Sequence, residues 1–122
     1  MLRILLVDDN VDAADSMGEI LRALGNNVLV AHDPEQALAA AATFDPEVVV
    51  LDIGLPRMDG HQLADELRRL LSHPPRLIAL SGFGQERDRQ KSLEHGFAAH
   101  LVKPACIADL VEAIDGEQSS PA

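Results

Sequence analysis

Apolar and polar positions fall in blocks along this chain, and the blocks alternate between two periods. Short unbroken apolar runs, rich in β-branched residues, stand at 4–7, 28–31, 48–51, 77–80 and 98–102, each of strand length. Between them apolar residues recur at helical spacing: Ala14, Met17, Leu21 and Leu24, then Leu63, Leu67, Leu70 and Leu71. After the last run, Ile107, Leu110, Val111 and Ile114 repeat at i, i+3, i+4, i+7. The punctuation agrees. Asp33-Pro34-Glu35 has the form of an N-cap, a proline at the first helical position and an acid in the first turn. Gly25 and Gly96 sit where helix C-caps belong. Segment 85–95 also reads as a helix, but an almost wholly polar one with Leu93 as its main apolar anchor. So polar a helix gains little from packing and belongs at the low-stability end of the domain.

Five strands linked by helices, with strands apolar along their whole length, predict an α/β fold: a parallel, doubly wound sheet covered on both faces. Ligands bind such sheets beyond the carboxyl ends of the strands, at the topological switch point. The runs end there in Asp8-Asp9, Asp52, Ser81-Gly82 and Lys103-Pro104. Two strand orders are common for this class. In 2-1-3-4-5, the flavodoxin-like order, strands 1, 3, 4 and 5 are neighbours and all these side chains converge on one pocket. In 3-2-1-4-5, Asp52 would be separated from Asp8 and Asp9. The convergence favours the first order.

Three carboxylates in one pocket repel, by roughly 3 kcal/mol per pair at about 5 Å and an effective dielectric near 20. A single lysine does not offset that. A hard divalent cation, Mg²⁺ or Mn²⁺, does, because it takes one or two carboxylates and keeps other positions for water and phosphate oxygens. An ionised aspartate can attack phosphorus to form an acyl phosphate, and phosphoryl transfer asks the protein mainly for positioning and charge neutralisation.

The motifs Asp8-Asp9, Asp52-Ile53-Gly54-Leu55-Pro56-Arg57-Met58-Asp59-Gly60, Ser81-Gly82 and Lys103-Pro104, each following its own strand, resemble the receiver domain of two-component response regulators. The resemblance covers nearly the whole chain and implies one receiver domain over 1–115 with a flexible tail over 116–122. It implies that Asp52 accepts a phosphoryl group from a sensor histidine kinase or a histidine phosphotransfer protein. Asp9, Asp52 and the Gly54 carbonyl would bind Mg²⁺ directly and Asp8 through water. Ser81 and Lys103 would bind the phosphoryl oxygens, and the bond before Pro104 would be cis. The family usually carries Tyr or Phe three residues before the lysine, as a switch side chain. Here His100 holds that position, a switch candidate together with Ser81, and His-Leu-Val-Lys-Pro resembles receivers attached to hybrid sensor kinases. Helix 85–95 and the strand bearing His100 are the expected output surface toward an unknown downstream protein, with a homodimer possible. Phe83, two residues past Ser81, is expected to shield the acyl phosphate from water.

Composition narrows the field. The chain has 122 residues, and ten Lys+Arg against twenty Asp+Glu give a formal net charge of −10. That surface repels nucleic-acid phosphates and anionic lipid, and with no Trp or Tyr there is no stacking platform for bases. The apolar runs are too short for a membrane span and no signal peptide is expected. The single Cys106 suits a reducing, cytoplasmic setting and reads as a quiet residue at a helix start. Asp65, Glu66, Arg68 and Arg69 read as a solvated helix face, and no metal role falls to His95 and His100. The expected role is signalling rather than enzymatic. A Mg²⁺-dependent phosphohydrolase with an Asp nucleophile is the enzyme alternative, but adjacent Asp8-Asp9 suits metal binding better than nucleophile-plus-acid roles. A degenerate, docking-only receiver is the other, and the intact acidic, acceptor and lysine set argues against it.

Overall fold

In the computed structural model, which describes residues 2–54, 59–82, 88–103 and 105–115, strands and helices alternate five times. The elements are β1 (Arg3–Val7), α1 (Val11–Ala23), β2 (Asn27–Ala31), α2 (Pro34–Phe44), β3 (Val48–Asp52), α3 (Gly60–Leu70), β4 (Arg76–Ser81), α4 (Asp88–Glu94), β5 (Ala99–Val102) and α5 (Ile107–Asp115). All strand pairs are parallel, in the order β2-β1-β3-β4-β5. The predicted architecture is therefore the observed one.

Alternation of side chains along each strand splits the apolar runs between two cores. Leu5, Val7, Val49, Leu51, Leu77 and Ala79 face Ala37 and Ala41 of α2 and Leu63, Ala64 and Leu67 of α3. Ile4, Leu6, Val48, Val50, Ile78 and Leu80 face Ala14 and Leu21 of α1 and Leu110 and Ile114 of α5. Burial on both sides is why these strands carry no polar alternation.

Local signals hold where they rest on backbone chemistry. The Asp33 side chain accepts from the Gln36 N–H at 2.8 Å, with Pro34 in the first turn of α2. Gly25 and Gly96 close α1 and α4 with φ of +100° and +82°, a backbone region that favours glycine. The apolar faces are narrower than the periodicity suggests. Leu24, Leu70 and Leu93 are 57%, 45% and 54% exposed. Leu93 is thus not the anchor of α4. That place is taken by Ser92, fully buried and held by hydrogen bonds rather than by apolar contact.

The charged face of α3 is likewise only partly solvated. Arg69 and Glu66 pair in solvent at 2.9 Å, as expected. Arg68 instead reaches across to donate to the His95 carbonyl at the end of α4, while Asp65 takes the His95 ring at 3.4 Å. Gly96 makes room for this arm, since a Cβ there would stand 2.8 Å from the Arg68 guanidinium. Among the described residues, no helix is long and apolar enough to cross a membrane.

Candidate functional site

Sheet register builds the site row by row. Val7 pairs with Leu51, so Asp8 and Asp52 emerge side by side as the next residues. Asp52 pairs with Leu80 and Ser81 with Val102, which places Ser81 and Lys103 one step beyond. Four of the expected side chains are thereby brought to one edge.

Asp8 and Asp52 are 4% and 5% exposed, and Lys103 Nζ lies 3.0 Å from Asp8 Oδ2 and 2.8 Å from Asp52 Oδ2. Each carboxylate gives its other oxygen to a backbone N–H two residues on: Asn10 to Asp8 at 3.0 Å, Gly54 to Asp52 at 2.8 Å. Burial raises the Asp8 pKa, with the Asp52 charge adding to it, against the opposing pull of the Asn10 N–H and Lys103. Burial alone would lower the Lys103 pKa, but its hydrogen bonds to Asp52 and Asp8 prevail and raise it, so it stays an ammonium ion. Lys103 thus bridges the two buried acids.

Asp9 stands on the exposed side, and one ligand oxygen from each of Asp8, Asp9 and Asp52 falls within 4.8 Å of the others. Three carboxylates against one ammonium leave an all-oxygen, net negative donor set. Such a set fits a hard divalent cation. The predicted metal residues Asp8, Asp9 and Asp52 therefore come together, with Gly54 two residues past Asp52. Beside them a cavity of ≈ 380 Å³ runs under α1, lined by Asp8, Asn10, Met17, Leu80, Lys103 and Ala105.

Gly60 fixes the approach of α3 to this edge. A Cβ there would lie 2.4 Å from Ile53 Cα and 3.0 Å from the Asp52 carbonyl oxygen, so only glycine lets the helix start this close to the acceptor strand. Phe83, Pro104, residues 55–58 and the tail 116–122 lie outside the described residues.

The switch candidates carry more than the sequence suggested. His100 is buried, with Nε2 at 2.9 Å from Ser81 Oγ and Nδ1 at 2.9 Å from Ser92 Oγ. Ser92 Oγ is also 2.9 Å from His61 Nε2, and His61 Nδ1 is 3.1 Å from Asp59 Oδ1. Asp59 Oδ2 takes the Lys91 ammonium at 2.9 Å. A continuous polar chain therefore links the site hydroxyl to the junction of α3 and α4. The His61 ring packs against His95 and edge-on to Phe97, with centroids 5.1 and 5.6 Å apart. Asp59, His61 and Ser92 were not expected here. The one available signal was position: His61 precedes Ala64 by three residues, on the buried face of α3.

Known proteins share this fold. The family model described as response regulator receiver domain matches residues 4–115. The transcriptional regulatory protein CpxR of Klebsiella pneumoniae is 40% identical over 114 residues, covering 93% of this chain and 48% of its own length. An uncharacterized 14.6 kDa protein of Leptolyngbya boryana is 34% identical over 112 residues, covering 91% of this chain and 86% of that one. The chain thus spans about half the length of several regulators it matches. Among solved structures, a CheY-like receiver domain protein from Methanospirillum hungatei superposes with a TM-score of 0.86 at 30% identity, covering 98% of this chain and 95% of that one. A response regulator from Burkholderia pseudomallei, solved with a phosphorylated aspartic acid, a calcium ion and citrate, gives 0.87 at 25% identity, over 98% and 70%. With its acidic pocket, bridging lysine and strand order in place, this chain belongs to the response regulator receiver domains of two-component signalling.

Proposed function

We propose that the chain accepts a phosphoryl group on Asp52 from the phosphohistidine of a sensor kinase or phosphotransfer protein, and that the modification alters binding to a downstream protein. The observation that carries this is the setting of Asp52: a buried carboxylate at a strand end, paired with Lys103 and within ligand distance of Asp8 and Asp9. The phosphorylated aspartic acid and calcium ion of the Burkholderia regulator support it.

An Asp52 oxygen forms the new O–P bond as the N–P bond of the donor breaks, and the donor imidazole keeps the bonding electron pair. Lys103 is placed to transfer its hydrogen bond from Asp52 Oδ2 to a phosphoryl oxygen, and Ser81 to meet another. Asp8, Asp9, Asp52 and Gly54 would hold Mg²⁺ or Mn²⁺, which when bound neutralises charge on the carboxylates and the phosphoryl oxygens. The chain catalyses its own modification and hydrolysis and turns over no separate substrate. Its low cationic content and net charge of −10 favour protein partners over nucleic acid or membrane, in the cytoplasm.

Intact mass after incubation with Mg²⁺ and acetyl phosphate tests the proposal. Wild type should gain one phosphoryl group and Asp52→Asn none; equal gain in both would remove Asp52 from the role of acceptor.

A further inference from the structure

The chain of hydrogen bonds between Asp59 and Ser81 dictates which atom carries which proton. Burial would raise the Asp59 pKa, but the His61 backbone N–H and the Lys91 ammonium outweigh it and keep the carboxylate ionised. A carboxylate oxygen only accepts, so His61 Nδ1 carries a hydrogen. Burial also holds His61 below the usual imidazole range despite Asp59, so the ring is neutral and its Nε2 is a bare acceptor. Ser92 has one hydroxyl hydrogen and directs it there. Its oxygen therefore accepts from His100 Nδ1–H, and in the neutral ring this leaves His100 Nε2 as an acceptor. Ser81 must donate to that nitrogen. At rest, then, the only hydrogen of Ser81 is committed to His100, and the oxygen has none to offer a ligand.

We propose that Asp59, His61 and Ser92 are positioning residues that set the direction of the Ser81 hydroxyl, so that Ser81 donates to a phosphoryl oxygen on Asp52 only as the chain takes up one proton. This rests on the phosphoacceptor reading above. When Ser81 turns its hydrogen to the phosphoryl oxygen, His100 Nε2 is left as a buried lone pair facing another lone pair. One proton from solvent restores the bond. Nε2–H then donates to Ser81 Oγ while Nδ1–H continues to donate to Ser92, or the hydroxyl of Ser92 reverses and the charge rests on His61 beside Asp59. One N–H bond forms and no bond between heavy atoms changes, and one positive charge enters as the phosphoryl group brings negative charge. Among the described residues, the charged and titratable groups facing the chain are Asp59 at the cap of α3, Asp65 and Arg68 further along α3, Lys91 on α4 and His95 just past its end. The Asp8–Lys103–Asp52 cluster lies beyond Ser81.

Beryllofluoride with Mg²⁺, a phosphoryl mimic, is the probe. Titration calorimetry of the full chain at about pH 7.5, in buffers of different ionisation enthalpy, counts protons taken up per ligand bound. Ser92→Ala is the reference, because it frees His100 to carry its hydrogen on Nε2 without a demand at Nδ1. Wild type should take up more protons than Ser92→Ala, by up to about one, and its affinity should rise by up to about tenfold more per unit fall in pH. Equal counts and parallel pH profiles would mean that Ser81 turns without a proton, and would overturn the inference alone. Failure of wild type to bind beryllofluoride at any pH would overturn the phosphoacceptor reading and this inference together. Nitrogen NMR of the ligand-free protein checks the chain without a variant: Nδ1–H tautomers are expected at both His61 and His100, and an Nε2–H tautomer at His100 overturns the direction assigned.

Discussion

Two sets of buried polar residues meet at the carboxyl edge of the sheet, one ionic and one neutral. On the ionic side, Asp8 and Asp52 share a single lysine, and burial keeps the Asp8 pKa raised in spite of it. On the neutral side, Ser81, His100, Ser92 and His61 satisfy one another in series, and among the described residues no buried side-chain polar atom lacks a partner. Desolvation is expensive for both kinds of group, but an unpaired charge costs more than a misdirected hydroxyl. The ionic side is therefore built to gain from a cation. The neutral side is complete as it stands and changes only by reversing direction.

Removing the bridge should separate the two sides most sharply. Lys103→Ala leaves two buried carboxylates facing each other and should cost about 3 kcal/mol in metal-free urea unfolding, the low end of what breaking a buried pair costs. Mg²⁺ should restore part of that; a variant as stable as wild type without metal would show that the lysine is not what holds the acids. Gly60→Ala strikes both sides at once, because the new methyl presses on Ile53 beside Asp52 while Asp59 caps the same helix. A loss of about 2 kcal/mol is expected from such overpacking, together with weaker Mg²⁺ binding. A change in neither would mean that the edge is free to shift.

The smallest effect has the opposite sign. Asp8 has a folded pKa above its unfolded one, so its ionised form costs stability above the folded value, and that cost disappears as pH falls toward the ordinary carboxylate range. Asp8→Asn keeps an oxygen for the Asn10 N–H and should stabilise the metal-free protein at neutral pH by about 1 kcal/mol, the usual scale of one substitution. Unfolding repeated near pH 4 should show the gain shrinking. A gain that persisted unchanged would place its origin elsewhere than in the charge.

The ionic side was legible in the sequence because each of its members follows an apolar run. Asp8, Asp52 and Lys103 inherit their places from strand ends, as does Ser81 of the neutral side, and strand order follows from requiring them to converge. The rest of the neutral side leaves no such trace. His61 sits on α3, Ser92 on α4 and His100 on β5, and their adjacency arises only once three elements pack. Periodicity arguments look for apolar stripes, so they picked Leu93 as the anchor of α4 and passed over the serine beside it. For the same reason Arg68 looked solvated: nothing local to α3 shows that a carbonyl of another helix lies within its reach.

That reach has a mechanical consequence. Arg68 grips the carbonyl of His95, one residue past the end of α4, and Gly96 leaves the space for it. With Ser92 and Lys91 also bonded, α4 is held over its C-terminal half, and a rod so held turns about that end. The described part of α4 runs from Asp88 to Glu94, and at 1.5 Å per residue its far end stands roughly 10 Å from the grip. Any displacement of this helix is therefore magnified toward Asp88, and Ser92, close to the fulcrum, can remain in register with His61 and His100 while the outer turn swings.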